Sequence, residues 1–260
     1  MARRSARTDA ARVRAYHRIL DARERRLTDR LAAEIGRAVR AAAEAYPSWR
    51  DALDGHAQRL ATILREEARR TMRAGAEHVR GAAKSAHPDI EHKAALIGDD
   101  DGDLLDRALR AYAAASSRRV QAIANTTRER IRTAISDGVE DGLGAEEIAR
   151  MIRDQTGSMT LSRARTIART ETAGVLNAGQ QVEAQAIAEE TGSKYVKIWL
   201  STNDPRTRET HTAANNQKVG MDDPFKVGNA ELMYPGDQSG PPEEVINCRC
   251  AVAYELDRGR

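Results

Sequence analysis

The chain has 260 residues, enough for one large or two modest domains, and 31% of them are charged. The net charge of +3 excludes the strong overall positive field of a dedicated nucleic-acid-binding protein. No apolar run approaches the ~20 residues that span a bilayer, and two cysteines separated by one residue do not form a secreted disulfide framework. We therefore expect a cytosolic protein without a signal peptide, because the first thirty residues are charged and lack an apolar core.

Positive charge is concentrated at the start of the chain, where residues 1–30 contain ten arginines and four acidic residues. Such a segment favours contact with the phosphate backbone of DNA. It is equally typical of a solvated helix face in an arginine-rich protein. The candidate DNA contacts are Arg3, Arg4, Arg7, Arg12 and Arg14.

Apolar residues at helical spacing predict long helices through the first three quarters of the chain. We place these helices at about 8–45, 48–84, 104–137, 145–152 and 160–191. Pro47 should separate the first two helices, and Gly157 with Ser158 should end the short one. Gly192 is expected to cap the last helix.

Strand and turn formers dominate after Gly192, with strands expected at 195–200, 224–227 and 245–256. The predicted fold class is therefore α+β: mostly α, with long helices in the first three quarters and a small, turn-rich β-hairpin module at the end. We divide the chain into a helical region at 1–97 and a second domain at 103–260, whose α+β module covers 193–256.

The terminal module also holds the side chains suited to metal binding. Asp204, His211, Cys248 and Cys250 are the candidate ligands, because zinc binds thiolate, imidazole and carboxylate. Alternation along the predicted last strand would point both thiols to one face. Two other interpretations remain open: a buried polar cluster without metal, and a cysteine nucleophile with His211 as base and Asp204 or Asn247 orienting it.

A set of short motifs occurs in a fixed order. It comprises A-R-T-I-A-R-T-E (164–171), K-I-W (197–199), D-P-R-T-R-E-T-H (204–211), Y-P-G-D (234–237) and I-N-C-R-C (246–250). With these motifs the chain resembles the phage Mu F-like minor head proteins, also called phage head morphogenesis proteins, over about residues 125–256. On this resemblance the second domain is identified as a Mu F-like head morphogenesis domain.

The resemblance implies a structural minor capsid protein of a tailed phage or prophage, not an enzyme. Such proteins lie inside the virion head, after assembly in the host cytoplasm. Their partners are the portal protein, scaffold or major capsid protein and, in some phages, double-stranded DNA during packaging or ejection; no membrane is involved. The domain is fused to toxin domains in some phages, but this chain ends about ten residues after Cys250, so no such cargo is expected.

The family pattern is carried here by Arg169, Glu171, Asp204, Arg206, Arg208, His211, Asn247, Cys248 and Cys250. We expect these residues to form one buried network in which Glu171 pairs with Arg206 or Arg208 and attaches the long helix to the terminal module. No cofactor is implied, although the residues leave open a structural zinc ion. The alternative function is a zinc-dependent enzyme or DNA-processing module using Asp204, His211, Cys248 and Cys250.

Overall fold

The computed structural model describes the backbone of residues 2–86 and 102–257, and the side chains of residues 8–83, 106–114, 117–155 and 160–257. Its long helices are α1 (Ala2–Glu44), α2 (His56–Ala86), α3 (Gly102–Glu140) and α4 (Ala145–Thr191). The terminal module that follows contains the strands β1 (Tyr195–Leu200), β2 (Lys218–Gly220), β3 (Phe225–Val227), β4 (Ala230–Leu232) and β5 (Ala251–Leu256), with the short helices α5 (Glu209–Ala213) and α6 (Pro242–Val245). The predicted α+β class, mostly helical with a small terminal β module, is confirmed.

The terminal module is built around β1. This strand pairs antiparallel with β2 on one side and with β5 on the other, while β3 and β4 form a separate hairpin. Successive side chains of a strand point to opposite faces. Accordingly, Trp199 packs against Phe225 on one face and Leu200 packs against Tyr16 on the other. β1 is therefore buried on both faces.

The chain divides into two compact units. One comprises Met1–Arg23, Ala68–Tyr112 and Arg169–Arg260, and the other comprises Glu24–Glu67 and Ala113–Ala168. Each unit combines segments that are separated along the chain, whereas the predicted domains at 1–97 and 103–260 are each one continuous stretch. The units therefore do not test the boundary between the predicted domains, which stays a prediction. The residues around that boundary lie outside the described part of the chain.

The second unit consists of helical segments around two apolar clusters. One cluster includes Leu31, Leu64 and Ile123, and the other includes Ile131 and Ile152. A buried carboxylate also joins α1 to α2. Glu34 accepts hydrogen bonds from the Arg59 guanidinium at 2.8 Å and the Arg37 guanidinium at 2.8 Å, and lies 3.0 Å from His56 Nδ1. Charge-assisted bonds of this kind compensate for the desolvation of a buried carboxylate.

The first unit brings α2 and α4 into close contact through two glycines. A Cβ added to Gly75 would lie 2.3 Å from the Leu176 carbonyl oxygen, and one added to Gly179 would lie 2.2 Å from that of Met72. Side chains larger than hydrogen are therefore excluded where the two backbones meet. The terminal module belongs to this unit.

Several predicted element boundaries are wrong. The second helix, predicted from residue 48, begins at His56, because residues 51–53 form a separate short turn. The helices predicted at 145–152 and 160–191 are one continuous helix, α4, so Gly157 and Ser158 do not end it. A glycine in a helix costs only about 1 kcal/mol relative to alanine, and burial of Ile152 and Ala164 on either side outweighs that cost. The strand predicted from residue 245 begins at Ala251, because residues 242–245 form α6.

None of the helices in the described ranges has a stretch long and apolar enough to cross a bilayer.

Candidate functional site

His211 is the centre of the candidate site. It lies on α5, with only 2% of its surface exposed. Its Nδ1 is 3.4 Å from Cys250 Sγ and 3.8 Å from Cys248 Sγ. We call these three side chains the thiol–imidazole cluster. One ligand atom from each lies within 4.8 Å of the others, and no other described histidine, cysteine, aspartate or glutamate belongs to this group.

The opposite nitrogen of His211 faces a carboxylate that the sequence analysis did not single out. Nε2 lies 3.0 Å from Glu244 Oε2, which also accepts a hydrogen bond from the Thr210 hydroxyl at 2.9 Å. Glu244 lies on α6, which begins with Pro242 in a position that suits a first helical turn. The contact joins residues 33 positions apart, so the sequence does not indicate that Glu244 meets His211. The only local signal was that Glu244 lies four residues before Cys248.

Both cysteines lie in the irregular segment between α6 and β5, not on the predicted strand. Asn247 turns the chain there with a φ of 60°, and its backbone N–H donates to Thr170 Oγ1 at 3.0 Å. Asparagine adopts this left-handed conformation more readily than most residues. The turn places the thiols of Cys248 and Cys250 on the same side of the segment, beside His211.

The two thiols differ in acidity. The hydrogen bond donated by Cys248 lowers the pKa of the Cys250 thiol, in spite of burial. The same bond, together with burial, raises the pKa of the Cys248 thiol. Cys250 is therefore the more acidic of the two thiols.

Asp204 lies apart from the thiol–imidazole cluster. Its carboxylate accepts hydrogen bonds from the Arg206 guanidinium at 3.0 Å, the Arg206 backbone N–H at 2.9 Å and the Thr207 hydroxyl at 3.2 Å. These contacts stabilise the turn before α5, in the way that aspartate often does at turns. Of the four predicted ligands, the structure brings together only His211, Cys248 and Cys250.

The predicted pairing of Glu171 with Arg206 or Arg208 is wrong. Arg206 bonds Asp204, and the Arg208 guanidinium donates to the Ile246 carbonyl oxygen. Glu171 instead accepts hydrogen bonds from the Tyr112 hydroxyl at 2.6 Å and the Gln238 amide at 3.0 Å. Arg169, the remaining member of the expected network, is half-buried on α4.

One link between α4 and the terminal module is a buried asparagine that the sequence analysis missed. The side-chain amide of Asn177 is fully buried and donates to the Pro235 carbonyl oxygen at 2.8 Å and the Cys250 carbonyl oxygen at 3.2 Å. It also lies 3.0 Å from the Tyr16 hydroxyl. The sequence offered one signal for this role, which is that Asn177 has apolar neighbours on a helix. A buried amide in such a place needs hydrogen-bond partners.

The candidate DNA contacts are only partly described. Arg12 forms an ion pair with Glu255 at 2.8 Å, and Arg14 is exposed on α1. The side chains of Arg3, Arg4 and Arg7 lie outside the described residues. Arg12 also borders a cavity of about 870 Å³ whose lining includes Tyr16, Ile187 and Tyr254 but no member of the thiol–imidazole cluster.

The region that contains the thiol–imidazole cluster is similar to a known protein family. Residues 129–253 match the Phage Mu protein F like family. This matched region, just under half of the chain, is similar to that family. The Mu F-like region includes the whole thiol–imidazole cluster and Glu244, and the resemblance predicted from the ordered motifs is confirmed.

Two relatives share sequence with about half of the chain. Minor head protein GP7 of Bacillus phage SPP1 is 32% identical over 132 residues, which are 49% of this chain and 40% of the relative. NAD(+)--arginine ADP-ribosyltransferase EFV of Enterococcus faecalis is 30% identical over 141 residues, which are 54% of this chain and 28% of that protein. The chain thus spans less than half the length of either relative. No solved structure shows a significant match.

Proposed function

We propose that this protein is a minor structural component of a tailed-phage head, associating with the portal inside the head. The observation that carries the proposal is the match of residues 129–253 to the Phage Mu protein F like family, together with the similarity to a minor head protein of phage SPP1. In this role the protein acts by binding other head components and catalyses no reaction.

The burial of the thiol–imidazole cluster supports a structural role. His211, Cys248 and Cys250 are each 2% exposed, whereas a nucleophile must meet its substrate. Trp199 also packs against the imidazole, in an edge-to-face arrangement with a centroid distance of 5.4 Å. The cluster thus suits the interior of a binding module better than a reaction centre.

The similarity to the ADP-ribosyltransferase EFV does not carry that protein's activity to this chain. The aligned segment is 28% of EFV. It supports common ancestry of the shared segment, and the rest of EFV lies outside the alignment.

The portal association is tested by co-purification. We would express the chain with an affinity-tagged portal protein of the same phage and, in parallel, with the tagged major capsid protein. We expect retention on the portal, and we expect mass spectrometry to find a few copies of the chain in purified heads. Absence from both the portal complex and the heads would overturn the proposal.

Two glycine variants provide a matched control for that experiment. Gly179→Ala introduces a Cβ where α2 and α4 meet and should abolish retention through misfolding. Gly81→Ala, also on a long helix, introduces a Cβ with no neighbour within 4 Å and should be retained like the wild type. Equal retention of both variants would show that the recovered binding does not depend on the fold.

We include contact with packaged DNA in the proposal through the basic start of α1. Arg14 is exposed there, whereas the charge of Arg12 is balanced by Glu255. Binding of duplex DNA should weaken as salt rises, because each phosphate contact releases counterions. Arg14→Glu should weaken binding more than Arg153→Glu, its exposed counterpart on α4; undetectable or salt-insensitive binding would rule out the DNA contact.

A further inference from the structure

We propose that the thiol–imidazole cluster binds one zinc ion, with Cys248 Sγ, Cys250 Sγ and His211 Nδ1 as its protein ligands. Thiolate sulfur and imidazole nitrogen are the ligands zinc prefers in proteins. The ion would hold the terminal module together, whether or not the protein has the proposed role in the phage head.

The distances fit a tetrahedral ion. Zinc bonds sulfur at about 2.3 Å and nitrogen at about 2.1 Å, which separates ligand atoms around a tetrahedron by roughly 3.5–3.8 Å. His211 Nδ1 is 3.4 Å from the sulfur of Cys250 and 3.8 Å from that of Cys248. Both distances from the nitrogen to a sulfur are therefore close to those around a zinc ion, and the two sulfurs lie within 4.8 Å of each other.

Glu244 orients the histidine for this role. A carboxylate 3.0 Å from Nε2 holds the proton on that nitrogen, so the lone pair of Nδ1 faces the two sulfurs. Metal-bound histidines usually donate their other ring N–H to a carboxylate or carbonyl in this way. The Thr210 hydroxyl, which donates to the same carboxylate oxygen at 2.9 Å, holds Glu244 in place.

The surroundings indicate a structural site. Three protein ligands leave the fourth position of zinc to a water-derived ligand, as in catalytic sites, but all three ligands here are buried at 2% exposure. The ligands come from α5 and from the segment joining α6 to β5. An ion at this point connects α5 to the segment before β5, so its binding energy contributes to folding.

Two arrangements without zinc could use the same side chains. One is a hydrogen-bonded group of thiols and imidazole, and the other is a cysteine nucleophile activated by His211. Neither needs three metal-binding atoms gathered within 4.8 Å of one another, and the nucleophile also needs access to substrate. Zinc is favoured because one ion satisfies both sulfurs and the nitrogen together.

Metal analysis of the purified full-length chain tests the proposal. After expression with zinc and gel filtration in a reducing buffer containing a weak chelator, we expect about one zinc per chain. Cys250→Ser should lower the zinc content at least tenfold, while Asp204→Asn should keep it, because Asp204 lies outside the cluster. Glu244→Gln should weaken zinc affinity by about 10- to 100-fold, in line with other residues that orient metal ligands.

Because Cys250→Ser could simply misfold, a second measurement uses the wild-type chain. Zinc is removed with a strong chelator and cobalt(II) is added, with the absorption spectrum reporting thiolate ligands and four-coordinate geometry. We expect one equivalent of cobalt to produce this spectrum, and zinc to abolish it and raise the melting temperature. A wild-type chain with neither zinc nor a cobalt–thiolate spectrum, or a Cys250→Ser variant that retains zinc, would overturn the proposal.

Discussion

Lys197 is a fully buried cation in the central strand of the terminal module. Its ammonium donates to the Met233 carbonyl oxygen at 2.9 Å and lies 5.3 Å from the centre of the Phe225 ring. Burial lowers the pKa of this lysine to about 8, in spite of nearby aspartates. Protonation of Lys197 is therefore less favourable in the folded protein than in the unfolded chain.

This pKa predicts how stability depends on pH. An unfolded lysine has a pKa of about 10.4, so between about pH 8 and 10 the unfolded chain binds the extra proton and stability rises with pH. The unfolding free energy of the wild type should therefore rise relative to that of Lys197→Met by up to about 3 kcal/mol from pH 7 to 10.5. Urea unfolding at both pH values measures this difference.

The control for that measurement is Lys226→Met, because the Lys226 side chain faces solvent on β3. The difference in unfolding free energy between the wild type and Lys226→Met should be the same at both pH values. A constant difference between the wild type and Lys197→Met across this range would show that Lys197 does not lose its proton in the fold.

Asn177 predicts a second effect at the level of one side chain. Asn177→Ala leaves the Pro235 and Cys250 carbonyl oxygens without the amide that binds them. Each buried polar group left unsatisfied costs about 1–3 kcal/mol, so we expect a loss of about 2–4 kcal/mol in urea unfolding. Asn125→Ala, on the exposed face of α3, should change stability by less than about 0.5 kcal/mol. Equal effects of the two variants would contradict the assigned role.

At the level of elements, the contact between α2 and α4 depends on glycine. Gly179→Ala places a Cβ 2.2 Å from the Met72 carbonyl oxygen, where only backbone movement can relieve the overlap. We expect a loss of about 3 kcal/mol or more, or failure to fold, since overpacking against a backbone is poorly tolerated. Thermal unfolding followed by circular dichroism measures the effect.

Gly81→Ala is the matched substitution on an open face of α2. It should leave stability unchanged or raise it by up to about 1 kcal/mol, because alanine is the better helix former. If Gly179→Ala proved as stable as Gly81→Ala, the close packing of α2 against α4 would be wrong.

At the level of the whole molecule, the Mu F-like region draws its core from residues outside itself. In the first unit, Tyr16 and Leu20 pack with Leu176 and Leu200, while Met72 packs with Val175. The matched stretch at 129–253 lacks Tyr16, Leu20 and Met72. The region is therefore incomplete as a folding unit in this chain.

Because part of its core lies outside residues 129–253, this stretch should not fold alone. Residues 129–253 expressed alone should lack a cooperative thermal transition, because the exposed apolar surfaces of α4 and β1 have lost their partners. Co-expression with residues 1–128 should restore solubility. A sharp transition of the isolated fragment at the melting temperature of the full chain would contradict this prediction.

Much of the fold was predictable because its signals are local. The spacing of Val13, Tyr16 and Leu20 indicates α1, and Gly192, with a φ of 60°, ends α4 as predicted. Alternation along residues 195–200 predicts β1 with the bounds that the structure has. The continuity of α4 was not predictable in this way, since a local helix breaker such as Gly157 is outweighed by burial elsewhere in the helix.

The sequence by itself determined the helical class, the β-rich end of the chain and the resemblance of residues 129–253 to a known family, because helix periodicity, strand alternation and ordered motifs are read along the chain. Only the tertiary structure decided which of the candidate residues meet. It brought Glu244 to His211, excluded Asp204 from the cluster and attached α4 to the module through Asn177. The physical reason is that such contacts depend on the path of the backbone between residues far apart in sequence, which no local spacing specifies.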